Sequence, residues 1–103
     1  MRVVNSEKFT IQNGNINGNV IVEGSGSVDL NDFNATGYRV VVKGSENVEV
    51  SLVEAKRLRV TGNNVAYVFA NAANTFVCKN NTRLVAGKNQ GPNAAQQCDT
   101  LGL

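Results

Sequence analysis

Histidine and tryptophan are both absent from this chain of 103 residues. Without histidine, one copy of the chain holds neither a Ser-His-Asp triad nor a Cys-His pair. Without tryptophan, a sugar-binding surface would depend on smaller rings, of which Tyr38 and Tyr67 are the candidates. These absences argue against an enzyme, and we expect neither a catalytic residue nor a cofactor.

Long apolar runs and a strong charge of one sign are also missing. No run approaches the roughly 20 apolar residues that a membrane-spanning helix needs, so we expect no membrane insertion. The first residues hold no apolar run of signal-peptide length, which leaves two expectations open: a cytoplasmic protein, or the excised mature domain of an exported one. Ten basic and eight acidic residues give a net charge of +2, a balance that argues against nucleic acid as a partner.

A repeat runs through the middle of the chain. Segments 20–30, 40–50 and 58–68 share the pattern V-x-V-x-G and a second short apolar stretch, and segment 75–85 is a degenerate copy. Repeats of this length indicate a solenoid, in which each copy buries its apolar face against the next. Glycine occurs 10 times and asparagine 16 times, which suits many tight corners.

We therefore predict an all-β fold, a small single-stranded parallel β-helix of four to five coils. A right-handed path is expected from the general preference of parallel crossovers. Antiparallel hairpins are the alternative, but the repeats align without reversal, as parallel stacking requires. Residues 1–90 form the coils in this reading. Residues 91–103 belong to the same domain and form a C-terminal cap, with Pro92 at the start of a short helix.

Aligning the copies predicts which side chains point inward. The first strand of each copy places one column of valines inside: Val22, Val42, Val60 and Val77. Phe76 and Cys78, their neighbours in the fourth copy, would then point outward, and Lys79 would stand where the other copies have the corner glycine. In the third copy the second strand would begin at Val65 and continue through Tyr67, with a slip to Val68 as the alternative. The third segment of that copy would bury Phe69 or Ala70.

The segments 44–50 and 62–68, G-S-E-N-V-E-V and G-N-N-V-A-Y-V, resemble a bacterial family of unknown function with tandem V-x-G-S-x-N-x-V repeats. The resemblance covers residues 20–87 and implies a β-helix and export behind a secretion or lipoprotein signal. The chain departs from the pattern at Ser27 and Lys79. Segment 14–24 is similar, more weakly, to the short repeats of bactofilins, which are polymerising cytoskeletal β-helices. The head domains of some surface adhesins look similar at the same level.

Few residues stand out as a site. Cys78 and Cys98 lack the C-x-x-C spacing of a zinc site, so we expect no metal; they are either a disulfide that pins the tail or two free thiols. Asp29 and Glu49 should lie side by side on the outside, with Ala66 next in the column. The densest basic set consists of Arg39, Lys56, Arg57, Arg59 and Arg83. A candidate interface column consists of Ile21, Val41 and Phe76.

The function that this sequence predicts is a non-enzymatic structural or interaction module. A rigid outer face would meet an unknown protein or glycan partner, and a homodimer would form through the outer column of Ile21, Val41 and Phe76. Two alternatives remain: a self-assembling cytoplasmic scaffold of the bactofilin type, and a β-helix that binds or cleaves polysaccharide. A tail that caps the last coil would argue against the scaffold.

Overall fold

The computed structural model of the protein describes residues 1–100, with Ala95 described by its backbone alone. These residues form eight β-strands and one turn of helix, and every pairing between the strands is parallel. The elements are β1 (Arg2–Val4), β2 (Lys8–Asn15), β3 (Val20–Glu23), β4 (Ser27–Lys43), β5 (Asn47–Thr61), β6 (Val65–Phe69), β7 (Ala72–Lys79), β8 (Arg83–Gly87) and α1 (Ala94–Gln97).

The strands stack as five coils, which are residues 2–15, 20–35, 39–55, 57–73 and 75–90. Each coil contributes a short stretch to three parallel sheets, and the long strands β4 and β5 bend around corners to reach all three. The first sheet consists of β1, β3, residues 39–43, residues 57–61 and β7. The second consists of residues 8–12, 27–31 and 47–51 with β6 and β8. The third consists of residues 14–15, 33–35, 53–55 and 72–73, with a bridge from Ala72 to Gln90. The prediction of a small parallel β-helix is confirmed.

The coils differ in length at a single corner. Successive coils advance by 19, 20, 18 and 18 residues, as one column of paired residues shows: Arg2, Ile21, Val41, Arg59 and Val77. The extra residues lie between the third and first sheets, where residues 17–18 and 36–38 at the corners that follow the first two coils correspond to Lys56 alone and Asn74 alone at the next two. Extra residues in a corner cost little loop entropy and leave the inward columns aligned.

The fourth repeat is shifted by one residue from its predicted alignment. Phe76 pairs with Leu58, where Thr75 was predicted. Because side chains alternate between the faces of a strand, this shift exchanges every inward and outward position. Phe76 is consequently 0% exposed in the core, Cys78 faces inward at 7%, and Val77 faces outward. The predictions of an outward Phe76 and an inward Val77 are wrong; burying the phenylalanine ring contributes about 2 kcal/mol that burial of threonine would not.

The second strand of the third repeat is also one residue further along the chain. Val65 pairs with the residue before Val48, so Ala66 and Val68 face the core and Tyr67 is exposed. The predicted inward Val65 and Tyr67 are therefore wrong, whereas the alternative at Val68 is confirmed. The corner before this strand has the same length as in the other coils. The strand therefore starts in step with its neighbours, and Ala66 and Val68 lie next to Val48 and Val50.

Left-handed backbone occurs at two of the three corners in every coil. At the corner between the first and second sheets, φ lies between 56° and 65° at Asn5, Gly24, Gly44, Gly62 and Asn80. Asn80 thus takes the place of the corner glycine in the fourth repeat, where Lys79 was predicted. Between the second and third sheets the same backbone occurs at Asn13, Asp32, Leu52, Ala70 and Lys88. Asparagine and aspartate tolerate this region better than branched residues, which accounts for Asn5, Asn13, Asp32 and Asn80 at these corners.

Polar side chains next to these corners tie one coil to the next. The Ser45 backbone N–H donates to Asn63 Oδ1 at 2.8 Å, the Asn63 N–H donates to Asn81 Oδ1 at 3.0 Å, and the Ser25 N–H donates to Ser45 Oγ at 3.1 Å. Asn63 Nδ2 also donates to the Val42 carbonyl at 3.2 Å. Since the side chains of Ser25, Ser45 and Asn63 are buried, this ladder satisfies backbone groups that water does not reach.

A second ladder lies at the next corner and replaces an apolar position. Asn71, rather than Phe69 or Ala70, continues the column of Val53, and its side chain is buried. Asn71 Oδ1 accepts from the Val53 N–H, and the Asn71 N–H donates to Asn89 Oδ1, both at 3.0 Å. The prediction of an apolar residue here is wrong, because an asparagine that bonds both neighbouring coils is as well accommodated as an apolar side chain.

The segment after β8 folds over the last coil. Cys98 is buried and forms a disulfide with Cys78 of β7. Asn93, at the start of α1, accepts from the Phe76 N–H at 2.8 Å and donates to its carbonyl at 2.9 Å. Thr100 donates its N–H to the Ala86 carbonyl at 2.8 Å. Backbone groups of Phe76 and Ala86, which lie at the edge of the last coil, are thus partnered within the chain.

Candidate functional site

Basic residues are concentrated on the outside of the first sheet. Its outward positions hold six basic residues and one acidic residue: Arg2, Arg39, Lys43, Arg57, Arg59 and Lys79, and Glu23. The chain has ten basic and eight acidic residues in all. The remainder of the molecule therefore carries four basic and seven acidic residues, so a chain of balanced composition has one strongly cationic side. We call this outward surface of the first sheet the basic face.

Strand alternation and coil stacking explain why these charges meet. Residues 39–43 and 57–61 are strands in which every second side chain is buried, so their charged residues are all exposed. Arg39 pairs with Arg57 in the adjacent coil, and Val41 pairs with Arg59. Neighbouring strands lie about 4.8 Å apart, which places the Arg39 and Arg57 side chains next to each other on the same surface.

An open groove runs over the centre of the basic face. Its floor is formed by Ile21 and Val41, which are half-buried and adjacent in the stack. Arg39 and Arg57 lie along one side of the groove. The complete lining is Arg2, Ile21, Glu23, Arg39, Val41, Lys43, Arg57, Arg59 and Thr61. A ligand in this groove would contact an aliphatic floor and a mostly cationic margin, in which Glu23 is the one carboxylate.

The single carboxylate of the basic face is already engaged. Glu23 Oε1 lies 3.3 Å from an Arg2 guanidinium nitrogen and 3.5 Å from Lys43 Nζ. Within residues 1–100, the guanidinium groups of Arg39, Arg57 and Arg59 have no carboxylate at ion-pairing distance. Like charges directly opposite each other on adjacent strands destabilise a sheet. The Arg39–Arg57 pair is thus an unneutralised cationic site that an anion would stabilise.

The predicted interface column is only partly correct in its membership. Ile21 and Val41 are adjacent and outward, as expected, but Phe76 lies in the core and Val77 occupies the outer position instead. The column also contains Arg59 between Val41 and Val77. Two copies meeting through this column would bring their basic faces together. A homodimer at this surface stays a prediction, with like-charge repulsion against it.

The two cysteines lie at the end of the stack rather than on its side. Cys78 faces the core, not the exterior as predicted, and the disulfide to Cys98 closes the last coil. The Cα atoms are 5.4 Å apart. Among the described residues there is no cluster of three or more histidine, cysteine or carboxylate side chains that would hold a metal ion. The position of the disulfide points to a structural role for the pair.

Asp29 and Glu49 pair in adjacent coils on the outside of the second sheet, as predicted. The next residue in their column is Tyr67, because Ala66 is buried, so the prediction for Ala66 is wrong. The three side chains line an open surface together with Lys8. Asp29 is half-buried and Glu49 is exposed at this surface.

Sequence reasoning found half of the basic face. It named Arg39, Arg57 and Arg59, which the fold brings together, but also Lys56, which lies at the third corner, and Arg83, which lies on the second sheet. The three members that it missed are Arg2, Lys43 and Lys79. Their positions in the repeat could have identified them. Arg2 lies in the column of Ile21 and Val41, and Lys43 and Lys79 each lie two residues after that column, at outward positions of the first sheet.

Comparison of the chain with protein-family models, with curated proteins and with solved structures finds no match. The resemblances to the tandem-repeat family and to bactofilins therefore stay predictions. In the described part of the chain, no helix has the length and apolar character that crossing a bilayer would require.

Proposed function

We propose that the protein is a non-enzymatic binding module that holds an anionic partner on its basic face. The observation that supports this proposal is the unequal distribution of charged residues over the surface. Six of the chain's ten basic residues lie on one sheet surface with a single carboxylate, while the rest of the molecule is acidic in balance. A surface of one sign attracts partners of the opposite sign and orients them during approach.

The backbone supports such a role because it is rigid. Each coil is hydrogen-bonded to its neighbours through three sheets, and the Asn63 and Asn71 ladders join the coils at the corners. A face that is already ordered loses little conformational entropy when it binds. The backbone positions of the cationic residues are therefore set by the stack before a partner arrives.

A binding role is favoured over filament formation by the C-terminal segment. The disulfide, the Asn93 contacts and the Thr100 hydrogen bond place this segment against Cys78, Phe76 and Ala86 at the edge of the last coil. End-to-end stacking of copies would require that edge to be free. A cytoplasmic scaffold would have to displace this segment, whereas a module that binds through its side leaves it in place.

The test compares two charge-reversal variants of equal net charge. One replaces Arg39, Arg57 and Arg59 with glutamate; the control replaces Lys8, Arg83 and Lys88, which are exposed elsewhere. Binding to dextran sulfate and to polyglutamate is measured by isothermal titration calorimetry at several salt concentrations. Circular dichroism and size-exclusion light scattering verify the fold and mass of each variant.

We expect the basic-face variant to lose binding and the control to retain most of it, with affinity in the wild type falling as salt rises. Equal losses in both variants would show that net charge alone, and not this face, governs binding. No binding of either polyanion by the wild-type chain at low salt would overturn the proposal.

A further inference from the structure

The cationic side chains recur from coil to coil along the stack, and this linear arrangement limits the shape of the partner that can contact them. Arg2 belongs to the first coil, Arg39 to the third, Arg57 and Arg59 to the fourth, and Lys79 to the fifth. Adjacent coils are about 4.8 Å apart. A linear ligand that lies parallel to the stack and carries one negative charge per short repeating unit would meet a cation at several points along its length.

The chemistry of the margins favours planar oxyanions. Four residues of the basic face have no carboxylate partner in the described structure, and three of them are arginines: Arg39, Arg57 and Arg59, with Lys79 as the fourth. Arginine presents a rigid fork of N–H donors that binds a planar carboxylate through two parallel hydrogen bonds, whereas lysine acts as a point charge. The groove is thus suited to ordered anionic groups and not only to diffuse negative charge.

The floor of the groove favours a sugar over a nucleotide. Ile21 and Val41 offer an aliphatic surface, with the Thr61 hydroxyl beside them. A pyranose ring has C–H groups on its faces and charged or polar groups at its edge, which matches an aliphatic floor with cationic margins. The outward positions of the first sheet include no aromatic residue, so the base stacking that holds single-stranded nucleic acid is absent.

Two other polyanions fit this surface less well. A bilayer surface would contact the exposed arginines, but Ile21 and Val41 are half-buried between them and do not project into lipid. An acidic peptide would lose backbone freedom on binding, and the inner coils offer no unpaired strand edge to receive it because both neighbours are already paired.

We infer that the groove of the basic face binds a linear acidic polysaccharide with one carboxylate per sugar, lying along the stack from Arg2 to Arg59. This inference rests on the proposed function, since it specifies the partner of the same face. Arg2 and Arg59 stand in the same column three coils apart, which corresponds to about 14 Å of ligand. Arg39 of the third coil and Arg57 of the fourth would bind successive carboxylates along one side of this path.

The experiment titrates the intact, oxidised chain with a size series of oligogalacturonates, from the dimer to the octamer, in a calorimeter. Methyl-esterified oligomers of the same lengths control for charge. Polyglutamate, duplex DNA and phosphatidylserine vesicles are compared at the same salt concentration. Arg57→Gln is tested against Arg83→Gln, which removes the same charge from an exposed position on the second sheet.

We expect affinity to rise with oligomer length until the sugar spans the groove and then to level off, with no binding of the esterified series. Arg57→Gln should weaken binding about tenfold or more, the contribution of one charge-assisted contact, and Arg83→Gln should leave it within twofold. Both variants are surface changes, so retained thermal unfolding transitions show that they fold.

Three results would overturn the inference. They are tighter binding of polyglutamate, DNA or vesicles with the same sensitivity to Arg57→Gln; affinity that increases with every added sugar without levelling off; and equal effects of Arg57→Gln and Arg83→Gln. In the first two cases the basic face would still bind an anion, so the proposed function would stand. Absence of salt-dependent binding by every probe would remove both.

Discussion

Asn63 is the residue whose replacement tests the corner ladder most directly. Its side chain is 1% exposed, and it makes contacts with two neighbouring coils. Asn63 Oδ1 accepts from the Ser45 N–H at 2.8 Å, and Nδ2 donates to the Val42 carbonyl at 3.2 Å and to Asn81 Oδ1 at 3.1 Å. Asn63→Ala removes all three hydrogen bonds while leaving the backbone pairing of the strands intact.

The cost follows from what the substitution leaves behind. A buried donor without a partner costs about 1–3 kcal/mol, and the Ser45 N–H is such a donor because Ser45 is buried. The lost amide also vacates a small volume inside the corner. The lost contact to Asn81 adds less, because Asn81 Oδ1 still accepts from the Asn63 backbone N–H at 3.0 Å. We expect the free energy of unfolding to fall by about 3 kcal/mol in total, which for a domain of this size lowers the melting temperature by roughly 12 °C or more.

The ladder itself supplies a conservative variant. Ser45 Oγ accepts the Ser25 N–H at 3.1 Å, so a serine at position 63 should accept the Ser45 N–H in the same way. We expect Asn63→Ser to cost less than half of what Asn63→Ala costs. Asn64→Ala is the matched control, because Asn64 is exposed and its side chain contacts only Glu46, at 3.4 Å.

Urea unfolding of the oxidised chain, followed by circular dichroism, measures all three variants. Equal losses for Asn63→Ser and Asn63→Ala would refute the reasoning, since they would show that the accepting atom does not matter. A loss for Asn64→Ala as large as that for Asn63→Ala would also refute it, because burial would then not be the cause.

Three further predictions concern other parts of the molecule. Leu52 has φ 55° and is 55% exposed, so Leu52→Asn should relieve backbone strain and stabilise the fold by about 0.5–1 kcal/mol; a loss of stability in urea would contradict the argument. Arg57→Gln should raise the free energy of unfolding by a few tenths, about 0.3 kcal/mol, by removing a like-charge neighbour, and the gain should vanish at high salt. Reduction of the disulfide between Cys78 and Cys98, 20 residues apart, should lower stability by about 3 kcal/mol, with no effect of reductant on the Cys78→Ala/Cys98→Ala double variant.

Sequence reasoning succeeded where the repeats were strong and failed where they were weak. Val22, Val42 and Val60 form the inward column that V-x-V-x-G predicted. In the last coil the same pattern suggested Val77, but the structure chooses Phe76 and Cys78 as the inward pair. Local alternation is equally consistent with both registers, and only the competition between whole sets of side chains for the core decides between them.

The local sequence pattern also did not predict which basic residues would share a surface. A basic residue in a strand is outward in nearly any fold, but which basic residues share a surface depends on the register between coils and on the corner that each strand follows. Arg2, Lys43 and Lys79 are separated by at least 36 residues from one another in sequence, and they lie on the same face because each occupies an outward position of the first sheet.

The sequence by itself determined that the chain would form a parallel β-helix, because a directional repeat of alternating apolar residues and corner glycines buries its apolar side only by stacking on itself. It also excluded the histidine-dependent catalytic sites. Tertiary structure decided which residues of the last coil face the core, how Cys98 reaches Cys78, and that the cations gather on one face. Each of these depends on pairing between residues far apart in the chain, and the free energy that selects a pairing belongs to the assembled stack rather than to any one segment.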